Sequence, residues 1–166
     1  MTGLNVEPSL NRNHCPITNL VKGERLLVTS LRRWLFDPKA LPRIARRFHH
    51  DLGYGPGRLA VENFCEIVTL LETNARRTVY LRYPNCSKVS TDERTIIALI
   101  AAAQHNHRYH VAALARWLFP PASQDRAISH ITMLAIALRD GGCILARPTA
   151  RNPNPETYMV ALKAVV

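Results

Sequence analysis

Three histidines, His105, His107 and His110, fall within six residues. Imidazoles two and three positions apart converge on one ion if the backbone turns between them, and Cys86 could add a thiolate. No fourth ligand stands at a diagnostic spacing and no His-Glu-x-x-His pattern accompanies them, so a polar connection between helices is the simpler reading. His49-His50-Asp51 could relay a proton, but adjacent residues on a helix point in different directions. Cys65 and Cys143 lie in apolar runs that predict burial, which makes a thiol a poor nucleophile. Gly53, Gly55 and Gly57 follow no strand, so they read as a turn and not as a phosphate cradle. With no nucleophile elbow and no paired acids, neither catalysis nor a cofactor is expected.

Charge gives the stronger signal. Among 166 residues, 22 Lys and Arg stand against 12 Asp and Glu, a formal +10 that a polyanion binder uses and a globular enzyme does not need. The excess is densest from Arg32 to Arg47, where Arg32, Arg33, Lys39, Arg43, Arg46 and Arg47 accompany a single acid, Asp37. Duplex DNA is the first partner to consider. An anionic membrane or an acidic protein would answer the same charge, the latter with Trp34 and Phe36 as aromatic anchors. A hydrophobic fraction of 47% with 20% charged residues belongs to a folded chain. No run of about 18 apolar residues is present to span a membrane, and the first twenty residues lack the apolar core of a secretion signal. A cytoplasmic protein with free thiols is expected.

The positions of these side chains depend on helices. Leu26, Leu27, Leu31, Trp34 and Leu35 recur at three and four, which predicts a helix from Lys22 to Phe36, stopped by Asp37-Pro38. Lys39 to Leu52 follows, with Pro42 in its first turn, and then Arg58 to Arg76. Thr78 to Tyr83 alternates like one extra short strand. Ser90 and Glu93 have capping-box spacing at the head of an almost wholly apolar helix. Tyr109 to Phe119 predicts a helix with Val111, Leu114, Trp117 and Leu118 inward, and Pro120-Pro121 breaks it with a stiff, long turn. Ser123, as N-cap, opens a helix to Arg139 whose buried face is Ile128, Ile131, Leu134, Ala135 and Leu138. Gln124, Arg126, Ser129, His130 and Met133 fall on its other side. Cys143 to Arg147 and Tyr158 to Lys163 are two apolar stretches that predict a β-hairpin.

From residue 92 to 164 this order resembles the winged helix-turn-helix family of DNA-binding regulators, loosely the MarR-type proteins. Leu138-Arg139-Asp140-Gly141-Gly142-Cys143-Ile144-Leu145-Ala146-Arg147 carries the likeness, as a passage from recognition helix into wing. The resemblance implies a recognition helix 123–139 in the major groove and a wing 143–164 whose Arg147 and Arg151 meet phosphates or a minor groove. It implies base contacts from Gln124, Arg126, Ser129 or His130.

The expected fold is therefore mainly α, a helical bundle with a C-terminal helix-turn-helix and a β-hairpin wing. Its parts are a flexible tail (1–21), an N-terminal helical part (22–77) that could form a homodimer, and a winged-helix-like part (78–166), with 22–166 as one continuous domain the other possibility. The expected function is DNA binding in transcription regulation. The alternative is a helical adaptor that turns the basic surface at 32–47 toward an acidic protein.

Overall fold

A computed structural model describes residues 3–6, 15–37 and 39–147. Those residues form six α-helices and two small sheets, in a mainly helical fold. In order they are β1 (Leu4–Val6), β2 (Cys15–Pro16), α1 (Lys22–Phe36), α2 (Leu41–Leu52), α3 (Tyr54–Thr73), β3 (Val79–Leu81), β4 (Lys88–Val89), α4 (Thr91–Gln104), α5 (Arg108–Leu118) and α6 (Pro121–Asp140). No helix among them is long and apolar enough to cross a membrane.

The described part of 1–21 is not a tail. β1 pairs in parallel with β3, Leu4 opposite Val79 and Val6 opposite Leu81, and β2 pairs antiparallel with β4, Cys15 opposite Val89. Leu20 then joins Val28, Val89 and Ile97 in a small apolar cluster. These short strands are docked by partners more than seventy residues away, which local periodicity does not report.

The helices α3 and α6 run antiparallel along the middle of the molecule. His130 of α6 meets Asn63 of α3 at 3.0 Å, while Arg126, one turn earlier, meets Glu66 at 2.6 Å. Ile67 and Leu71 of α3, Ile96, Leu99 and Ile100 of α4, and Leu118, Phe119 and Ile131 close one apolar centre. The core runs from Leu26 to Leu145 without a break between the halves of the chain.

Three elements depart from expectation. Gly53 alone makes the turn after α2, with φ +82°, and α3 begins at Tyr54, because Pro56 needs no amide partner in a first turn. The helix therefore runs through Gly55-Pro56-Gly57, and Gly57 lets it close on α2: a Cβ there would lie 2.8 Å from His49 Cα. At the head of α6, Pro120 is the N-cap and Pro121 the first helical residue, so the connection from α5 is two residues long. Ser123 is buried inside the helix, and its hydroxyl donates to the Pro120 carbonyl at 3.3 Å.

The stretch Cys143 to Arg147 forms no strand. Gly142, at φ +75°, ends α6 in a Schellman motif, with Cys143 N–H donating to Leu138 O (2.7 Å) and Gly142 N–H to Arg139 O (2.9 Å). Beyond it Cys143 and Leu145 point inward and Ile144 outward, the alternation of a strand, but the backbone is paired by side chains. Gln104 donates to Cys143 O (3.0 Å) and accepts from Leu145 N (2.7 Å), and Glu24 accepts from Ala146 N (3.2 Å). The expected partner strand, Tyr158 to Lys163, lies outside the described residues.

Gly141 is fixed by packing. A Cβ would stand 2.6 Å from Leu52 Cβ and 2.9 Å from its Cα, and the latter has no freedom to move aside. We expect Gly141→Ala to lower stability by about 1–3 kcal/mol, the usual range for overpacking, and urea titration measures it. An unchanged midpoint would mean that the ends of α2 and α6 are not in contact.

Candidate nucleic-acid interface

Helix α2 sorts its residues more sharply than any other element. Ile44, Phe48 and Leu52 are buried, the Phe48 ring 5.5 Å from that of Phe64 on α3. Arg43, Arg46, Arg47 and His50, spaced three, four and seven apart, all face outward, and Lys39 is exposed just before the helix. The row carries only two carboxylates. Asp37 holds Arg43 at 3.3 Å, and Asp51 accepts from Arg47 Nε at 2.6 Å. Among the described residues Lys39 and Arg46 form no ion pair.

Asp51 gathers two cations and a histidine ring at the C-terminal end of this row. Its side chain is buried, while Lys22 (3.7 Å), Arg47 and the His50 ring (3.0 Å) around it remain largely exposed. Burial pushes its pKa up, but the hydrogen bonds of His50 and Arg47 and the charges of Arg47 and Lys22 outweigh that and hold it below its ordinary value. Lys22 Nζ also donates to Asp51 O at 3.3 Å, which brings the head of α1 against the end of α2. The resulting surface has five cations, Lys22, Lys39, Arg43, Arg46 and Arg47, for two acids.

Arg32 does not belong to the patch. Its side chain has 0% exposure and makes a two-pronged pair with Glu93, Nε to Oε1 at 2.7 Å and Nη2 to Oε2 at 2.9 Å. The reason is helical phase: Arg32 lies one turn beyond the buried Val28, not on the outward stripe of Arg25, Thr29 and Arg33. Arg33 is exposed on that stripe.

The side chains expected on the outward face of α6 are largely engaged within the molecule. Gln124 donates to Phe119 O at 3.1 Å, Arg126 is paired with Glu66, and His130 meets Asn63. Ser129 is exposed. The outward stripe carries Asp125 and Asp140 against Arg126 and Arg139, and Arg139 donates to the Gln104 carbonyl, so the stripe has no net charge. Arg147 is exposed at the end of the described residues, and Arg151 lies outside them.

The histidines around the α4–α5 junction, His105 and His107 in it and His110 in α5, are close but do not converge. Ring centroids are 6.4 Å apart for His105 and His107 and 5.8 Å for His107 and His110, and His105 Nε2 is 3.0 Å from Leu145 O. Cys86 lies before the head of α4 and the histidines at its end, about 20 Å apart by the rise of the 14-residue helix. Among the described residues no three His, Cys, Asp or Glu side chains are grouped to hold a metal ion. Cys65 and Cys143 are both pushed up in pKa, chiefly by burial, which suppresses the thiolate.

Sequence reasoning misplaced one large ring. Trp117 is not inward but 40% exposed, with Arg77 stacked 5.0 Å from its centroid. The buried face of α5 is Val111, Leu114, Ala115 and Leu118, so Trp117 stands a sixth of a turn or more outside it. Comparison with protein-family models, with curated proteins and with solved structures finds no match for the chain.

Proposed function

We propose that the protein binds DNA and holds the duplex mainly by its phosphate backbone, through the outward row of α2. The observation that carries this reading is the row itself: Arg43, Arg46 and Arg47 on one face of an otherwise well-packed helix, with Lys39 just before it and Lys22 beside its end. A buried Asp51 fixes Arg47 and Lys22 in place without cancelling the excess. Guanidinium groups so placed supply affinity that depends on salt and little on sequence. The two-residue connection between α5 and α6 is compatible with a helix-turn-helix, but the neutral stripe of α6 makes it a weak source of affinity in this reading. Any role in transcription regulation then rests on occupancy of DNA more than on base reading by Arg126 or His130.

The test is a binding titration of the full chain with random duplex DNA between about 50 and 200 mM salt. Release of counterions at four phosphates predicts a slope of about −3.6 in log K against log salt, and so a loss of about 10²-fold over that range. No binding at the lower salt, with retention of polyglutamate in its place, would replace DNA with an acidic protein as the partner of α2.

A further inference from the structure

A second surface, away from the α2 row in the chain, combines aromatic rings with positive charge. Tyr109 is 93% exposed at the first turn of α5, and Trp117 is 40% exposed at its last. The two are eight residues apart, about 12 Å along the helix, and the residue midway between them on this face is Ala113, with the exposed His110 and Arg116 to either side. The surface midway between the rings is therefore low. Arg116 is exposed beside Trp117, and Arg76 reaches the same place, its N–H donating to Leu118 O (2.8 Å) and its guanidinium to Arg116 O (3.4 Å).

The indole is held in position. Arg77 stacks against it, and Asp92 clamps that guanidinium with both oxygens, one of which also accepts from Tyr80 N at 2.8 Å. Asp92 neutralises Arg77 but is itself buried, so Arg76, Arg108 and Arg116 are left as exposed charges around the two rings. No acidic residue occurs between Glu93 and Asp125, a stretch that contains all of α5. A surface with outward aromatic rings, flanking arginines and no carboxylate on its own helix complements a strand of unpaired bases, whose faces stack and whose phosphates need cations.

We propose that the outward stripe of α5 binds single-stranded nucleic acid, with Tyr109 and Trp117 each receiving a base and Arg76, Arg108 and Arg116 the adjoining phosphates. An acidic protein would also use exposed rings and arginines, and the polyglutamate arm of the test below separates it from a nucleic-acid strand. The proposal is independent of the α2 reading, because duplex DNA offers no unstacked base to either ring.

The experiment compares the full chain on three fluorescent probes: a 15-nucleotide oligo(dT), an abasic strand of equal length, and a duplex. Oligo(dT) is expected to bind at least tenfold more tightly than the abasic strand, which carries the phosphates without the bases. Tyr109→Ala removes an almost wholly exposed ring without touching the core and is expected to cost about tenfold on oligo(dT) alone. Trp117→Leu should act alike, and Trp117→Phe should restore most of the affinity, which a mere folding defect would not allow. Duplex binding should be unchanged by all three variants. Equal affinity for oligo(dT) and the abasic strand, or indifference of oligo(dT) to Tyr109→Ala, overturns the proposal, as does retention of polyglutamate with no binding of oligo(dT).

Discussion

Arg32→Met is expected to lower the unfolding free energy by about 3–5 kcal/mol, a large part of the roughly 5–15 kcal/mol that a domain commonly has. The guanidinium is wholly buried and spends its donors on four acceptors: both oxygens of Glu93, Cys86 O (2.7 Å) and Lys88 O (2.6 Å). Glu93 in turn accepts from Ser90 N (2.7 Å) and Arg82 N (3.0 Å). One ion pair thus ties α1 to the head of α4, to the end of β3 and to the loop that leads into β4. Removal of the arginine leaves a buried carboxylate without a counter-charge and two carbonyls without donors, and each loss carries a desolvation cost. Arg32→Lys should recover little, because an ammonium cannot span a carboxylate and two carbonyls at once. Arg32→Met with Glu93→Gln should recover part of the loss, since no charge is stranded, while the amide oxygen can accept from only one of the two backbone N–H groups that Glu93 serves. Urea titration of the three variants measures this, and a single Arg32→Met within about 1 kcal/mol of the parent would show that the pair is not closed off from water.

Lys39→Ala, Arg43→Ala and Arg46→Ala together are expected to flatten the salt dependence of duplex binding by about 2.7 in log K per log salt, three contacts at about 0.9 each. Affinity at 50 mM salt should fall by about 10²-fold or more. The set is chosen to leave Arg47 in place, because Arg47 and Lys22 keep Asp51 satisfied and its removal would confuse binding with folding. The three replaced side chains are exposed, so near-parental urea midpoints are expected. Arg126→Ala, by contrast, breaks an intramolecular pair with Glu66 and should move the salt slope by less than one contact. An unchanged slope in the triple variant, beside a flattened one in Arg126→Ala, would transfer the interface from α2 to α6.

Local chemistry was readable in the sequence wherever a partner lies within one or two turns. The spacing of Leu26, Leu27 and Leu31 marks α1, and Ser90 with Glu93 marks the start of α4, where both halves of the capping box form: Glu93 N donates to Ser90 Oγ (3.0 Å) and Ser90 N to Glu93 Oε2. The same Glu93 has its strongest partner 61 positions away, and nothing in a capping pattern announces a buried arginine. Counting charge along the segment made Arg32 one more member of a basic run, although its spacing from Val28 puts it on the inward side. The extended backbone after Gly142 misled in another way. Its alternation of inward and outward residues is real, but Gln104, His105 and Glu24 do the pairing that a strand would otherwise supply. Of the candidate site, the row on α2 was legible because it is a single-helix property. The Arg77–Trp117 stack joins two elements forty residues apart, and the engagement of Arg126 and His130 depends on α3, so neither could be seen along the chain.

The antiparallel seam of α3 and α6 also decides when this chain can fold during its synthesis. The apolar side of α3, with Ile67 and Leu71, is complete once Thr73 has been added, yet its partner Ile131 is not made until α6. At about 5–20 residues per second the ribosome needs roughly 3–13 s to finish α6, far longer than helix formation takes. For that interval the nascent N-terminal helices present an uncovered apolar face. Such a face is prone to aggregate until it is covered, and a truncation before Pro121 would leave it exposed for good.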